Sequence, residues 1–184
     1  SFAWNNACDL DQAIEAMTRL PPFSNEWDMA DWRNHRHALE RSLRPESQGF
    51  ALHHLLDILR EKLPPDAILA YDVGAHTHQI ASQWRTDHAK TLLATNGWSS
   101  MGYGMPAAFA AKLIFPARRV VTVVGDGGFQ MTVGELALAR RLNLSVPTIV
   151  LNDGWLGLMK VKQERKGYAL SGVYLGQPVE SPPH

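Results

Sequence analysis

The chain has 184 residues, with 18 Lys and Arg balanced against 18 Asp and Glu. That length suits one ordinary domain and some extra chain, and the balanced charge removes the basic footprint that nucleic-acid binding requires. Cys8 is the single cysteine, so an internal disulfide is excluded and a cytoplasmic setting is the default expectation; neither a secretory signal nor a membrane-spanning run is apparent, and no membrane partner is expected.

In chain order, Asp9-Leu10-Asp11-Gln12 opens an amphipathic helix with Leu10, Ile14, Met17 and Leu20 at helical spacing. Pro21-Pro22 ends it. A second helix is expected from Asn25 to Leu43, and Arg44-Pro45-Glu46-Ser47 reads as a linker. His35 and His37, and the pair His53-His54, lack the spacing of a ligand set and read as solvated helix faces. From residue 48 the pattern alternates between helix and strand. A helix is expected over 49–62, strands near 67–72, 91–95, 119–124 and 147–151, and helices near 76–86, 104–115, 129–142 and 155–166. Such alternation implies an α/β fold, a doubly wound parallel sheet with helices on both faces. The segment 167–184 is rich in Gly and Pro and reads as irregular.

Two loops carry the most chemistry. Val120-Val121-Thr122-Val123-Val124 leads into Gly125-Asp126-Gly127-Gly128, and Thr148-Ile149-Val150-Leu151 leads into Asn152-Asp153-Gly154. One strand–helix–strand unit separates them, so both sit at the carboxyl ends of neighbouring parallel strands, where open α/β sheets bind ligands. Asp126, Asn152 and Asp153 offer hard oxygens suited to magnesium, which shares its shell with phosphates and water. Gly125, Gly127 and Gly128 allow close backbone approach. A helix starting near Phe129 aims free N–H groups and a positive dipole end at the same place. A metal-bound diphosphate suits all of this. The dinucleotide pattern G-x-G-x-x-G fails at Gln130, and no G-x-x-x-x-G-K-[ST] occurs.

These loops resemble the GDG…NN signature, with a spacer of about 25 residues, of thiamine-diphosphate-dependent enzymes of the acetohydroxyacid synthase and 2-oxo acid decarboxylase superfamily. Here Asp126 and Asn152 are 26 positions apart. Two further segments extend the resemblance over roughly residues 48–168. Asp72-Val73-Gly74-Ala75-His76 is similar to the family's DVGxH turn. Gly97-Trp98-Ser99-Ser100-Met101-Gly102-Tyr103-Gly104-Met105-Pro106-Ala107-Ala108 is similar to its GxxxMGxGxPAA segment.

The resemblance implies thiamine diphosphate and Mg²⁺ as cofactors. Asp126 becomes the first metal ligand, Asp153 the second side-chain ligand with Asn152 as the alternative, and the carbonyl of Trp155 the third. The family usually has asparagine at the place of Asp153, so this chain adds a negative charge there. Gly74, Ala75 and His76 are implied phosphate donors. Met101, flanked by Ser99 and Ser100, is implied to wedge between the cofactor rings, with the Ser99 carbonyl accepting from the pyrimidine amino group. Gly157 and Leu158 are implied to lie along cofactor and substrate. Lys162 stands where acetohydroxyacid synthases carry a channel tryptophan, a departure from that enzyme's own pattern.

The family chemistry uses the cofactor's thiazolium carbon to attack the ketone of a 2-oxo acid, with loss of carbon dioxide and transfer to a proton or a second carbonyl. By the same resemblance, residues 1–47 are the tail of a preceding domain and 48–184 an incomplete cofactor domain, so the chain is expected to be cut at both ends. FAD belongs to a middle domain of the whole enzyme, and a homodimer or homotetramer forms through other domains. The pyrimidine-activating glutamate comes from a different domain, and no segment here resembles it. Glu135 is a helix residue, no catalytic residue is assigned in this chain, and the chain alone is expected to be inactive. The rival reading is a non-catalytic flavodoxin-like or nucleotide-binding module using the same strand-end geometry; a family member that has lost catalysis is a third.

Overall fold

The computed structural model describes residues 9–21, 28–47 and 49–176. Two compact units divide the chain, Ser1–Ser42 and Leu43–His184. The first carries α1 (Leu10–Thr18) and α2 (Met29–Ser42), neither with a buried residue. Asp9 caps α1, its carboxylate accepting the N–H groups of Asp11 and Gln12 at 3.0 and 3.2 Å. Cys8, Pro22, the expected helix start at Asn25 and the expected boundary at residue 48 lie outside the described residues.

The second unit holds α3 (Leu52–Lys62), β1 (Ile68–Tyr71), α4 (Ala75–Gln83), β2 (Leu92–Leu93), α5 (Gly104–Ile114), β3 (Val120–Gly125), α6 (Asp126–Thr132), α7 (Glu135–Arg141), β4 (Thr148–Leu151) and α8 (Gly157–Arg165). The strands form one parallel sheet in the order β2-β1-β3-β4. Strand alternation sends successive side chains to opposite faces, and the core follows it. Leu69, Tyr71, Val121 and Val123 pack with Leu56 of α3 and Ile80 of α4. Ile68, Ala70 and Val120 pack with Ala108 and Ala111 of α5, and Val124 with Met105, Phe109 and Ala139. Helices therefore cover both faces, as the alternation of elements implies.

Three expectations are corrected. The helix expected over 129–142 begins three residues earlier, at Asp126, and divides into α6 and α7. At the division Leu136 N–H donates to Val133 and Ala137 N–H to Gly134, both at 3.1 Å. These are i→i+3 bonds that tighten the helix where Gly134 lowers helix propensity. The strand expected over 91–95 shrinks to two residues, since Leu92 and Leu93 alone pair with β1. The segment after 166 is not wholly irregular. Trp155 and Tyr174 form an antiparallel bridge, Leu156 N–H donates to Val173 at 2.7 Å and Leu175 N–H to Gly154 at 2.8 Å. Burial of Val173 anchors that return.

Candidate diphosphate and metal site

The strand order places a switch point between β1 and β3, because the connection from β1 runs out to β2 and the one from β3 runs the other way to β4. Ligands of open α/β sheets bind outside the carboxyl ends of strands at such a point. The Asp72–His76 turn follows β1, Gly125–Gly128 ends β3 and opens α6, and Asn152–Trp155 follows β4. All three line one cavity of about 740 Å³, within the range of small-molecule sites.

Asp126 is the hinge of the arrangement. It is buried at the first position of α6, where the helix dipole favours a carboxylate. One oxygen accepts its neighbour Gly127 N–H at 2.8 Å. The other accepts Gly154 N–H from the next strand's loop, also at 2.8 Å. The same Gly154 N–H lies 3.2 Å from Asn152 Oδ1. Oxygens of Asp126 and Asn152 thus converge on one backbone group, and the two loops are tied together. Asp153 behaves differently: its Oδ1 accepts Trp155 N–H at 2.9 Å. Its Oδ2 faces the start of α8, where a Cβ placed on Gly157 would lie 3.2 Å away and only 3.4 Å from Ala75. Asp126, Asn152 and Asp153 all line the cavity. Trp155 is held by Tyr174, ring centroids 4.5 Å apart, and by Lys160 Nζ at 4.2 Å from its own ring centroid.

His76 lines the cavity from the turn after β1. Its ring is buried, and Nε2 has no hydrogen-bond partner. Burial pushes its pKa below the usual histidine value, opposed by the charges of Asp72, Asp153 and Asp126 and by a hydrogen bond with the Asp72 backbone. A Cβ on Gly74 would sit 2.8 Å from the ring, and one on Gly125 3.3 Å. Those two glycines make room for the imidazole. One expectation is corrected here. Gly74 N–H is not free for a ligand, because it donates to Thr77 Oγ1 at 2.9 Å, whose hydroxyl in turn donates to the Asp72 carbonyl. The N–H groups of Ala75 and His76 open the first turn of α4, where backbone donors lack intrahelical acceptors.

Met101 is 36% exposed and lines the cavity, which is not how a core methionine sits. A Cβ on Gly127 would meet Leu156 at 2.8 Å, the Met101 methyl at 3.1 Å and Leu175 at 3.4 Å, so Gly127 forms the floor under an apolar ridge. Ser99 lines the cavity in a left-handed conformation, φ 52°. Ser100 is exposed and is not among the lining residues, a departure from its expected place beside the cofactor. Gly157, Leu158 and Lys162, all on α8, line the cavity.

His53 corrects another expectation. It is buried and lines the same cavity, rather than facing solvent, with its ring edge-on to His54 at 4.3 Å. The apolar spacing of α3 carries the signal, since His53 and Leu56 are the two buried residues of that helix, three positions apart. Asp72, which by sequence is one residue of a turn, has a fully buried side chain. Among the described residues no three His, Cys, Asp or Glu side chains gather into a metal-sized group. A set of one or two carboxylates, an amide oxygen and a carbonyl has no need of one.

Comparison with known proteins agrees with this geometry. Residues 72–180 match the family described as "Thiamine pyrophosphate enzyme, C-terminal TPP binding domain". The chain is 33% identical over 159 residues to the acetolactate synthase large subunit of Lactococcus lactis subsp. lactis (strain IL1403), covering 85% of this chain and 28% of that one. It is 32% identical over 143 residues to the mitochondrial acetolactate synthase catalytic subunit of Aspergillus candidus, covering 77% and 20%. It is 31% identical over 149 residues to the acetolactate synthase isozyme 2 large subunit of Escherichia coli (strain K12), covering 79% and 27%. The chain therefore spans between a fifth and a third of the length of these relatives. With the switch-point cavity and the matched motifs in register, the chain belongs to the thiamine pyrophosphate enzyme family and carries its C-terminal TPP-binding domain.

Proposed function

We propose that this chain holds thiamine diphosphate through Mg²⁺ at the ends of β3 and β4, as part of an enzyme that decarboxylates 2-oxo acids, joins the product to a second carbonyl, or does both, in the manner of an acetolactate synthase. The observation that carries the reading is the convergence of Asp126 and Asn152 oxygens on Gly154 N–H. The residues present fit the group: hard oxygens for magnesium, an unpartnered buried imidazole nitrogen on a residue that lines the cavity, and an apolar ridge at Met101. Asp126 and either Asn152 or Asp153, with the Trp155 carbonyl, hold the ion. Ala75 and His76 donate to the diphosphate; His76, kept neutral by burial, does so through a ring N–H. Met101 supports the bend between the rings, and Leu158 and Lys162 border the substrate side.

When bound, the cofactor supplies a thiazolium carbon able to add to a ketone and take up the electrons of decarboxylation, while the ion clamps the diphosphate. Similarity to the acetolactate synthases favours a small 2-oxo acid as substrate, residues 1–47 as the tail of a preceding domain, a cytoplasmic homodimer or homotetramer, and FAD at most elsewhere in the whole enzyme. The test is calorimetry of the chain with thiamine diphosphate, a flavin mononucleotide and ATP, each with and without Mg²⁺. Magnesium-dependent binding of thiamine diphosphate alone is expected. Preference for flavin or ATP overturns the reading in favour of the binding-module rival.

A further inference from the structure

The carboxylate of Asp72 is fully buried, and among the described residues no Lys or Arg pairs with it. Its charge is met by backbone instead. Oδ2 accepts Gly102 N–H at 2.9 Å and Oδ1 accepts Tyr103 N–H at 3.0 Å. Both donors lie just ahead of α5, where the positive end of an eleven-residue helix stabilises an anion. On its other side α6 passes so close that a Cβ on Gly128 would lie 1.6 Å from Oδ2. One side chain therefore touches the segment carrying Met101 and the glycine after the GDG loop, while its own backbone begins the phosphate turn. The Met101 segment needs outside support at Ser99, which holds a left-handed conformation at φ 52°, whereas Gly102 takes φ 81° freely.

We propose that Asp72 is a positioning residue that fixes the Met101 segment relative to the phosphate turn, so that the ring portion of the cofactor and its diphosphate are recognised as one unit. The inference rests on the cofactor reading above. Asp72→Asn keeps the shape but turns an amide NH₂ group toward one of the two backbone donors, which breaks that bond. The hydrogen bonds of this carboxylate run to Gly102 and Tyr103 and not to Ala75, His76 or Asp126; it reaches His76 only through space, by its charge.

The experiment compares wild type and Asp72→Asn by calorimetry with Mg²⁺–thiamine diphosphate and Mg²⁺–inorganic pyrophosphate, together with amide hydrogen exchange of the ligand-free chain. Thiamine diphosphate affinity is expected to fall about tenfold or more, with pyrophosphate affinity within about threefold, and exchange at Gly102 and Tyr103 to accelerate relative to Thr122 in β3. Parallel loss of both ligands, no loss of either, or unchanged exchange at Gly102 and Tyr103 overturns the proposal. A wild-type chain that binds neither probe fails the cofactor reading itself, a distinct result. If Asp72→Asn does not fold, the smaller Asp72→Ser carries the same comparison.

Discussion

Gly128→Ala tests the packing that brings the three motifs together. The added methyl would stand 1.6 Å from Asp72 Oδ2, 2.9 Å from its Cγ and 3.4 Å from Gly102 N. Ordinary contact requires the carboxylate to retreat by roughly 1.5 Å or more, and it has nowhere to go, being fully buried and bonded to two backbone N–H groups. If it moves, charged hydrogen bonds worth about 1.5–3 kcal/mol each are broken. If α6 moves instead, overpacking costs about 1–3 kcal/mol. Alanine in a helix returns about 1 kcal/mol. Net of that gain the loss is about 2–5 kcal/mol if the carboxylate moves and about 0–2 kcal/mol if α6 does, and Tm falls by roughly 2–4 °C for each kcal/mol lost in a chain of this size. Gly134→Ala is the control, because Gly134 already has helical dihedrals, φ −59° and ψ −26°, and a Cβ there meets nothing within 4 Å. It should stabilise by about 0.4–1 kcal/mol. Thermal and urea unfolding followed by circular dichroism measure both. A Gly128→Ala protein stabilised as Gly134→Ala is, or a Gly134→Ala protein equally damaged, refutes the argument.

Asp126→Asn should weaken magnesium-dependent thiamine diphosphate binding by at least tenfold in calorimetry, and affinity equal to wild type would remove Asp126 from the metal. Asp153→Asn, which takes a negative charge from beside the diphosphate, should tighten that binding; a marked loss would make the Asp153 carboxylate indispensable. The folded-state pKa of His76 lies below its unfolded value, near 6.5, so the unfolded chain binds the extra proton first. Stability from this group is complete above that value, declines as pH falls toward the folded pKa, and levels off below it. Urea midpoints between pH 7.5 and 5 should show this decline in wild type and less of it in His76→Gln, and parallel curves would contradict the assignment. Met101→Ala should weaken thiamine diphosphate binding while sparing inorganic pyrophosphate, a ratio that calorimetry reads directly. The chain by itself should turn over no 2-oxo acid, and measurable carbon dioxide release from pyruvate by the purified chain would contradict that.

What the sequence made legible was local. The β-branched run 120–124 followed by a glycine-rich loop specifies a buried strand and a tight turn, and β3 ends at Gly125 as that pattern requires. The same holds for β4, Thr148–Leu151, and for the turn after it. What escaped depends on residues far apart in the chain. The partners of Asp72 lie 30 and 31 positions away, and no periodicity encodes such a bond. The pairing of 154–156 with 173–175 crosses α8 and a glycine-rich stretch that looks unstructured by composition. His53 looked like one of a solvated pair because neighbouring residues on a helix face different ways, and only packing against the sheet decides which is inward. The break at Val133–Gly134 left the apolar pattern continuous across α6 and α7, so the pattern alone reads as one helix.

In the proposed site one divalent cation bridges the tips of β3 and β4 and carries the pyrophosphate. A crystal structure grown with thiamine diphosphate and manganese in place of magnesium tests it directly, since manganese gives an anomalous signal. The expected peak lies about 2.2 Å from the Asp126 carboxylate and from an oxygen of the 152–155 turn. A cation bound elsewhere, with Asp126 engaged only by the N–H groups of Gly127 and Gly154, would contradict it.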